Sequence, residues 1–199
     1  MAQRSSALKR KRSNNTKQSR NTYLIGVVVI AAALVGLVIW NVTRDSGQSN
    51  IPRLDTVGTS LGEIAPDFTV STLDGGSFNL SANRGKPSIV FFMAYWCGTC
   101  IPEGQALTRL YDEYGDQLNI VAIDIDASST PDALNQFKQA AGNGNYTWAF
   151  DLDQQVAATY AVRALDTTYV LDSDGYIVYL DQYPTNYDTL KEALDGLDF

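Results

Sequence analysis

The chain has two cysteines, Cys97 and Cys100, and they stand two residues apart in Trp96-Cys97-Gly98-Thr99-Cys100. Thiols at this spacing can close a small disulfide ring and reopen it by exchange with another sulfur pair. The same pair could supply half of a structural zinc site. Such a site takes four Cys or His ligands, and the chain has no further cysteine and no histidine to complete it. The lack of histidine also excludes Ser-His-Asp and Cys-His catalysis and a haem held by an endogenous His. The chemistry falls to thiols, carboxylates, hydroxyls, Lys/Arg and backbone.

Exchange needs the pair held on rigid elements. An apolar run at 89–93 feeds into the motif, and a helical pattern from 101 to about 114 leads out of it. A thiolate at a helix N-terminus is stabilised by unpaired N–H groups and the helix dipole. A helix starting near Cys97 would put Pro102 beyond the first turn and bend it. Leu107, Leu110, Tyr111 and Tyr114 have helical spacing and should face a sheet, with Gly115 as the C-terminal cap. Upstream, alternating segments at 68–72 and 77–80 flank Asp74-Gly75-Gly76, a hairpin signal. Downstream come a buried strand at 118–125, a helix at 131–141 opened by Thr130-Pro131, a short strand at 147–150 and a helix at 154–160. Strands at 167–171 and 176–180 are joined by Asp172-Ser173-Asp174-Gly175. A last helix to about 197 opens on a capping-box pattern, Thr185-x-x-Asp188. This order predicts an α/β fold: a central mixed sheet flanked by helices on both faces, parallel in the middle and antiparallel at one edge.

The rest of the chain predicts where that domain sits. Residues 1–22 carry seven Lys/Arg and no acid, whereas residues from 41 onward carry eight Lys/Arg and all 22 acids. Residues 23–40 form an uninterrupted, uncharged apolar run of 18 residues bounded by Tyr23 and Trp40. At ~1.5 Å per residue it spans roughly 27 Å, near the thickness of a bilayer's hydrocarbon core. Aromatic ends and a basic N-terminal flank predict a single transmembrane signal anchor with a cytoplasmic N-terminus and an extracytoplasmic C-terminal domain. The rival is a cleaved signal peptide, but the run is long and no small-x-small site follows Val38-Ile39-Trp40. Residues 41–62 read as a polar linker and residues 63–199 as the folded domain. The basic tail is explained by anchoring and anionic lipid, so no nucleic-acid partner is expected.

With these elements in order, the domain resembles the thioredoxin fold, and more narrowly the membrane-anchored TlpA/ResA type of thiol-disulfide oxidoreductase of the bacterial cell membrane. The resemblance rests on Ala65-Pro66-Asp67-Phe68, Asp74-Gly75, Arg84-Gly85-Lys86-Pro87, the stretch from Phe91 to Trp96 before the motif, Tyr160-Ala161-Val162, Thr167-Thr168-Tyr169-Val170 and Asp172–Gly175. It covers about 62–199, with residues 118–150 matching the family's central βα insertion. It implies an N-terminal β-hairpin, a redox-active disulfide in place of any other cofactor, no metal site, and protein thiols or disulfides as partners. A membrane or extracytoplasmic electron donor would supply electrons. Carried over residue by residue, Cys97 is the exposed nucleophile and Cys100 the buried resolving thiol. Glu103 handles protons beside the thiols, or is an ordinary first-turn acid. Trp96 lines the docking surface, or packs in the core. Phe91 stands where thioredoxin has a buried Asp. The larger departure is Leu165-Asp166-Thr167, a substrate-contacting loop in which Asp166 replaces the family's cis-proline. A cis bond before Asp would cost ~2.5–4 kcal/mol, so the loop should be trans or rearranged. Asp166 is then a group that raises the Cys97 pKa, a proton carrier, an opening for metal, or an exposed residue on a tolerant loop.

The family's usual task is reduction, for example of cytochrome c apoprotein cysteines before haem attachment, although some members oxidise. Two other functions compete. One is a metal-binding or redox-inert module of the same fold, favoured by the lost proline. The other is a peroxiredoxin-type peroxidase, which the residues Met93-Ala94-Tyr95-Trp96 disfavour because they hold neither the Pro nor the Thr that family places before its cysteine.

Overall fold

The computed structural model describes residues 51–199 and, before them, Ile30 alone. The basic tail, the rest of the expected membrane span and residues 41–50 therefore lie outside the described residues. Among those described, no helix is long and apolar enough to cross a membrane.

Seven strands form one mixed sheet: β1 (Thr69–Thr72), β2 (Ser77–Asn79), β3 (Ser88–Met93), β4 (Asn119–Asp124), β5 (Thr147–Phe150), β6 (Thr167–Leu171) and β7 (Ile177–Gln182), in the spatial order β2-β1-β5-β4-β3-β6-β7. The pairs β3/β4 and β4/β5 are parallel; β1/β2, β1/β5, β3/β6 and β6/β7 are antiparallel. Antiparallel pairing thus occurs at both edges, not at one. The expected hairpin and insertion are present, the latter as β4, a helix and β5. The helices are α1 (Cys100–Tyr114), α2 (Pro131–Ala140), α3 (Gln155–Thr159) and α4 (Tyr187–Leu194).

The apolar run becomes β3, buried at every position because helices cover both faces of the sheet. Ile89, Phe91 and Met93 face a core shared with Leu107 and Leu110 of α1, Leu134 and Phe137 of α2, and Leu190 and Leu194 of α4. Val90 and Phe92 face the opposite core, with Val70 and Phe78 of the hairpin, Val156 of α3 and Tyr160. This alternation fixes β3, and therefore the motif that follows it, in both register and depth.

Three expectations need correction. The linker boundary at 62 is too late: Leu54 N–H donates to Gly62 O, Val57 bridges Ile64, and Arg53 pairs with Asp172 at 2.8 Å and Asp174 at 3.2 Å. Residues 51–62 thus pack on the domain despite their polar composition. The last helix is capped by Asn186, whose side chain accepts from Thr189 N–H, and not by Thr185. And α1 starts at Cys100, not near Cys97, which places Pro102 third in the helix, where a backbone N–H has no intrahelical partner to lose. No bend is required of it.

Helix α1 also meets the end of α2 closely. A Cβ built on Gly104 would lie 2.7 Å from Ala141 Cβ. Alanine is the better helix former by about 1 kcal/mol, but this overlap is with a side-chain atom that has no rotamer to escape into. We expect Gly104→Ala to destabilise the fold by about 1–2 kcal/mol, seen as a lower urea midpoint at unchanged slope; an equal or higher midpoint would show that the α1–α2 contact yields freely.

Candidate functional site

The site lies where β3 ends. Cys97 N–H donates to Ala94 O in a tight turn, and Cys100 N–H returns to Cys97 O at 3.2 Å. The two sulfurs form a disulfide with an S–S distance of 2.05 Å. Cys97 is 4% exposed and Cys100 wholly buried. Cys97 precedes the helix, and its sulfur lies 3.3 Å from the hydroxyl of Thr99, the N-cap residue of α1.

Glu103 lies one turn along α1 and is fully buried. One carboxyl oxygen accepts from the Thr168 hydroxyl on β6, the other from Thr185 N–H at 3.1 Å. This N–H is committed to Glu103. Burial pushes the Glu103 carboxyl up to about 8, against the lowering effect of the two hydrogen bonds and with a further push from Asp181 and Asp166. An ordinary solvated first-turn glutamate would keep its charge at neutral pH; this one is poised to hold a proton.

The loop before β6 brings Asp166 into the site. It is 2% exposed, so the reading of an exposed residue on a tolerant loop is overturned. All described peptide bonds are trans, as expected, and Asp166 is instead left-handed at φ 60°. Its Oδ2 accepts from Thr99 Oγ1 at 2.8 Å and lies 3.8 Å from Cys97 Sγ. Its Oδ1 is buried with no hydrogen-bond partner among the described residues. Burial raises the Asp166 pKa, and the Thr99 hydrogen bond opposes the shift. Of its neighbours, Leu165 packs on the core beneath the motif, and Thr167 is buried with its hydroxyl on Ala164 O at 2.8 Å. Trp96 is 60% exposed, which rules out core packing; its Nε1 donates to Asp126 Oδ2 at 2.6 Å, fixing the indole beside Cys97.

Four contributors escaped the sequence reading: Thr99, Thr168, Thr185 and Asp181. Asp181 stands opposite Thr168 in the β6/β7 ladder, is buried, and has its Oδ1 unpartnered while its Oδ2 accepts from the Tyr179 hydroxyl. Burial raises its pKa despite that bond. Only the interior position of Thr99 in the C-x-x-C motif could have drawn attention to it; Thr168 and Asp181 are brought in by strand pairing, and Thr185 by the loop after β7. Potential ligand atoms of Cys97, Cys100 and Asp166 lie within 4.8 Å of one another. In the disulfide form neither sulfur is the thiolate a metal requires.

Comparison with known proteins agrees with this geometry. The AhpC/TSA family model matches residues 61–180. The chain is 32% identical over 156 residues to the thioredoxin-like protein YneN of Bacillus subtilis, covering 78% of this chain and 86% of that protein. It is 27% identical over 162 residues to the thiol-disulfide oxidoreductase ResA of Bacillus anthracis, covering 81% and 87%. Among solved structures, a secreted Mycobacterium tuberculosis disulfide oxidoreductase homologous to DsbE of E. coli superposes with a TM-score of 0.57 at 25% identity, over 64% of this chain and 93% of that one. A Chlorobium tepidum protein assigned as thiol:disulfide interchange protein DsbE superposes at 0.62 with 26% identity, over 69% and 96%. With a buried C-x-x-C disulfide at the end of the central strand of a thioredoxin-like sheet, the chain belongs to the AhpC/TSA family and, within it, to the ResA/YneN-like thiol-disulfide oxidoreductases.

Proposed function

We propose that this thiol-disulfide oxidoreductase is anchored in a cell membrane, works on the extracytoplasmic side, and exchanges electrons with protein substrates. Cys97 attacks the substrate disulfide and Cys100 resolves the mixed disulfide. Glu103 takes and returns the Cys100 proton, and Trp96 with residues 165–167 frames the bound substrate. The observation that carries this is the buried Cys97–Cys100 disulfide, with exposed Trp96 next to it in the chain and a proton-poised Glu103 one turn along α1. The uncharged run at 23–40 behind a basic tail supports the anchor, and the secreted M. tuberculosis relative supports the compartment. Reductant in cytochrome c maturation is the finer role we favour, with a membrane or extracytoplasmic donor returning the electrons.

The test is a redox titration of the full-length chain with an insulin-reduction assay. We expect one reversible two-electron transition and dithiol-dependent insulin precipitation, with the protein pelleting in the membrane fraction. Neither transition nor reduction would overturn the redox function; activity from a protein found only in soluble fractions would overturn the anchor alone.

A further inference from the structure

We infer that Asp166 is the acid-base group of Cys97, held in place by the Thr99 hydroxyl, so that the two cysteines are served by two different carboxyls. This rests on the proposed exchange reaction and assigns a residue to one half of it. Glu103 stands three residues beyond Cys100 on α1, with its two oxygens held by Thr168 and Thr185. The carboxyl oxygen in contact with Cys97 is Asp166 Oδ2, at 3.8 Å.

Three features make the placement more than incidental. Asp166 has a left-handed backbone, an outlier for most non-glycine residues though one that Asp and Asn tolerate. Its side chain is buried with Oδ1 unpartnered, a costly state for a carboxyl. And the Thr99 hydroxyl, at the N-cap of α1, donates to Asp166 Oδ2 and makes no cap bond to the helix, whose third residue is Pro102 and has no N–H to offer. Strain and unsatisfied polarity concentrated on one residue at a reacting sulfur point to function. Among the described residues, the ionisable groups near Asp166 are Cys97, Cys100 and Glu103 on the motif and α1, and Asp181 on β7. None of these is basic, so no ion pair accounts for a carboxyl here.

In the disulfide form neither sulfur carries hydrogen. On reduction, Cys97 gains a proton whose neighbour is Oδ2. When Cys97 then attacks a substrate R–S–S–R′, the proton moves to Asp166, the Cys97–S–R bond forms, and the S–S bond breaks with its electron pair on R′–S. Asp166 passes the proton to that sulfur, releasing R′–SH. Cys100 next loses its proton to Glu103 and attacks Cys97. The Cys97–S–R bond breaks, and R–S leaves and takes that proton as R–SH. Two thiols are oxidised, one disulfide is reduced, and both protons are accounted for.

The test compares full-length wild type, Asp166→Asn and Thr99→Val after reduction. It follows iodoacetamide alkylation of Cys97 across pH, read by mass spectrometry, alongside the rate of insulin reduction. Asn keeps the shape and tolerates the left-handed backbone. Removing the negative charge should lower the alkylation midpoint by roughly one pH unit, while insulin reduction per thiolate falls ~10²-fold. Wild-type reduction should slow in deuterated water and the variant's should not. Thr99→Val should move both readouts the same way but less. Equal reduction per thiolate in Asp166→Asn, or alkylation and reduction slowed together, overturns the assignment. A wild type that reduces nothing overturns the proposed function instead.

Discussion

Replacing Cys97 by Ser should abolish disulfide exchange, by more than about a thousand-fold, whereas Cys100→Ser should still capture substrate and fail to release it. The asymmetry follows from position. Cys97 precedes the helix, is buried at 4% exposure rather than exposed as expected, and follows exposed Trp96 in the chain with Asp166 of the 165–167 loop against its sulfur. Cys100 is the first residue of α1 and has no exposed surface, so a protein disulfide cannot reach it. It can reach only a sulfur already joined to Cys97. Attack by Cys97 alone therefore yields a stable mixed disulfide in the Cys100→Ser chain. Non-reducing gels of Cys100→Ser incubated with oxidised insulin should show a thiol-sensitive adduct that is missing from Cys97→Ser. If the adduct forms instead through Cys100, the roles are reversed, and the placement of Trp96 and Asp166 loses its meaning.

The sequence revealed the parts of this site that are local and hid those made by strand pairing. Strand β3 and both hairpins were legible because an apolar run and Asp-Gly turns act over a few residues. The helix pattern after the motif was legible to within one residue of its start, and the start at Cys100 decides that Pro102 need not bend it. Polar composition made 51–62 look like a linker because the partners of Arg53, Asp172 and Asp174, lie some 120 residues away. Asp166 was marked out by the missing proline, yet its burial, and the hydrogen bond it accepts from Thr99, depend on β6 docking against β3. Asp181 had no signal at all: its neighbour Thr168 sits across a ladder. Glu103 could be named from its position, but the energetics that make it useful come from Thr168 and Thr185, both distant in sequence.

Those energetics predict that the oxidised protein loses stability as pH rises from 4.5 to about 8, the reverse of what an ionised, paired carboxylate contributes. Burial lifts the Glu103 carboxyl from 4.5 to about 8. Below pH 4.5 both folded and unfolded chains carry its proton. Between 4.5 and 8 the folded chain holds a proton that the unfolded chain has released, so stability falls with pH at about 1.4 kcal/mol per unit. Above 8 both are ionised and the term is constant. Over the whole window the loss is roughly 3–5 kcal/mol, a large share of the 5–15 kcal/mol typical of a domain. Burial shifts Asp124, Asp166 and Asp181 in the same direction, adding to the slope, while hydrogen bonds hold Glu63, Asp67, Asp74, Glu113 and Asp126 below their ordinary values and give the opposite slope only below the ordinary carboxylate range. Glutamine can replace the protonated acid, with its oxygen accepting from Thr185 N–H and its amide donating to the Thr168 hydroxyl. Glu103→Gln should therefore match wild type in urea unfolding at pH 4.5 and exceed it by about 3 kcal/mol at pH 8; parallel pH profiles would show that Glu103 ionises freely in the fold. The same variant should slow release of the mixed disulfide without slowing its formation, because a carboxyl raised to about 8 can take up and return a proton near neutral pH, and an amide cannot. Glu103 thus weakens the fold in the pH range where its proton is useful to Cys100.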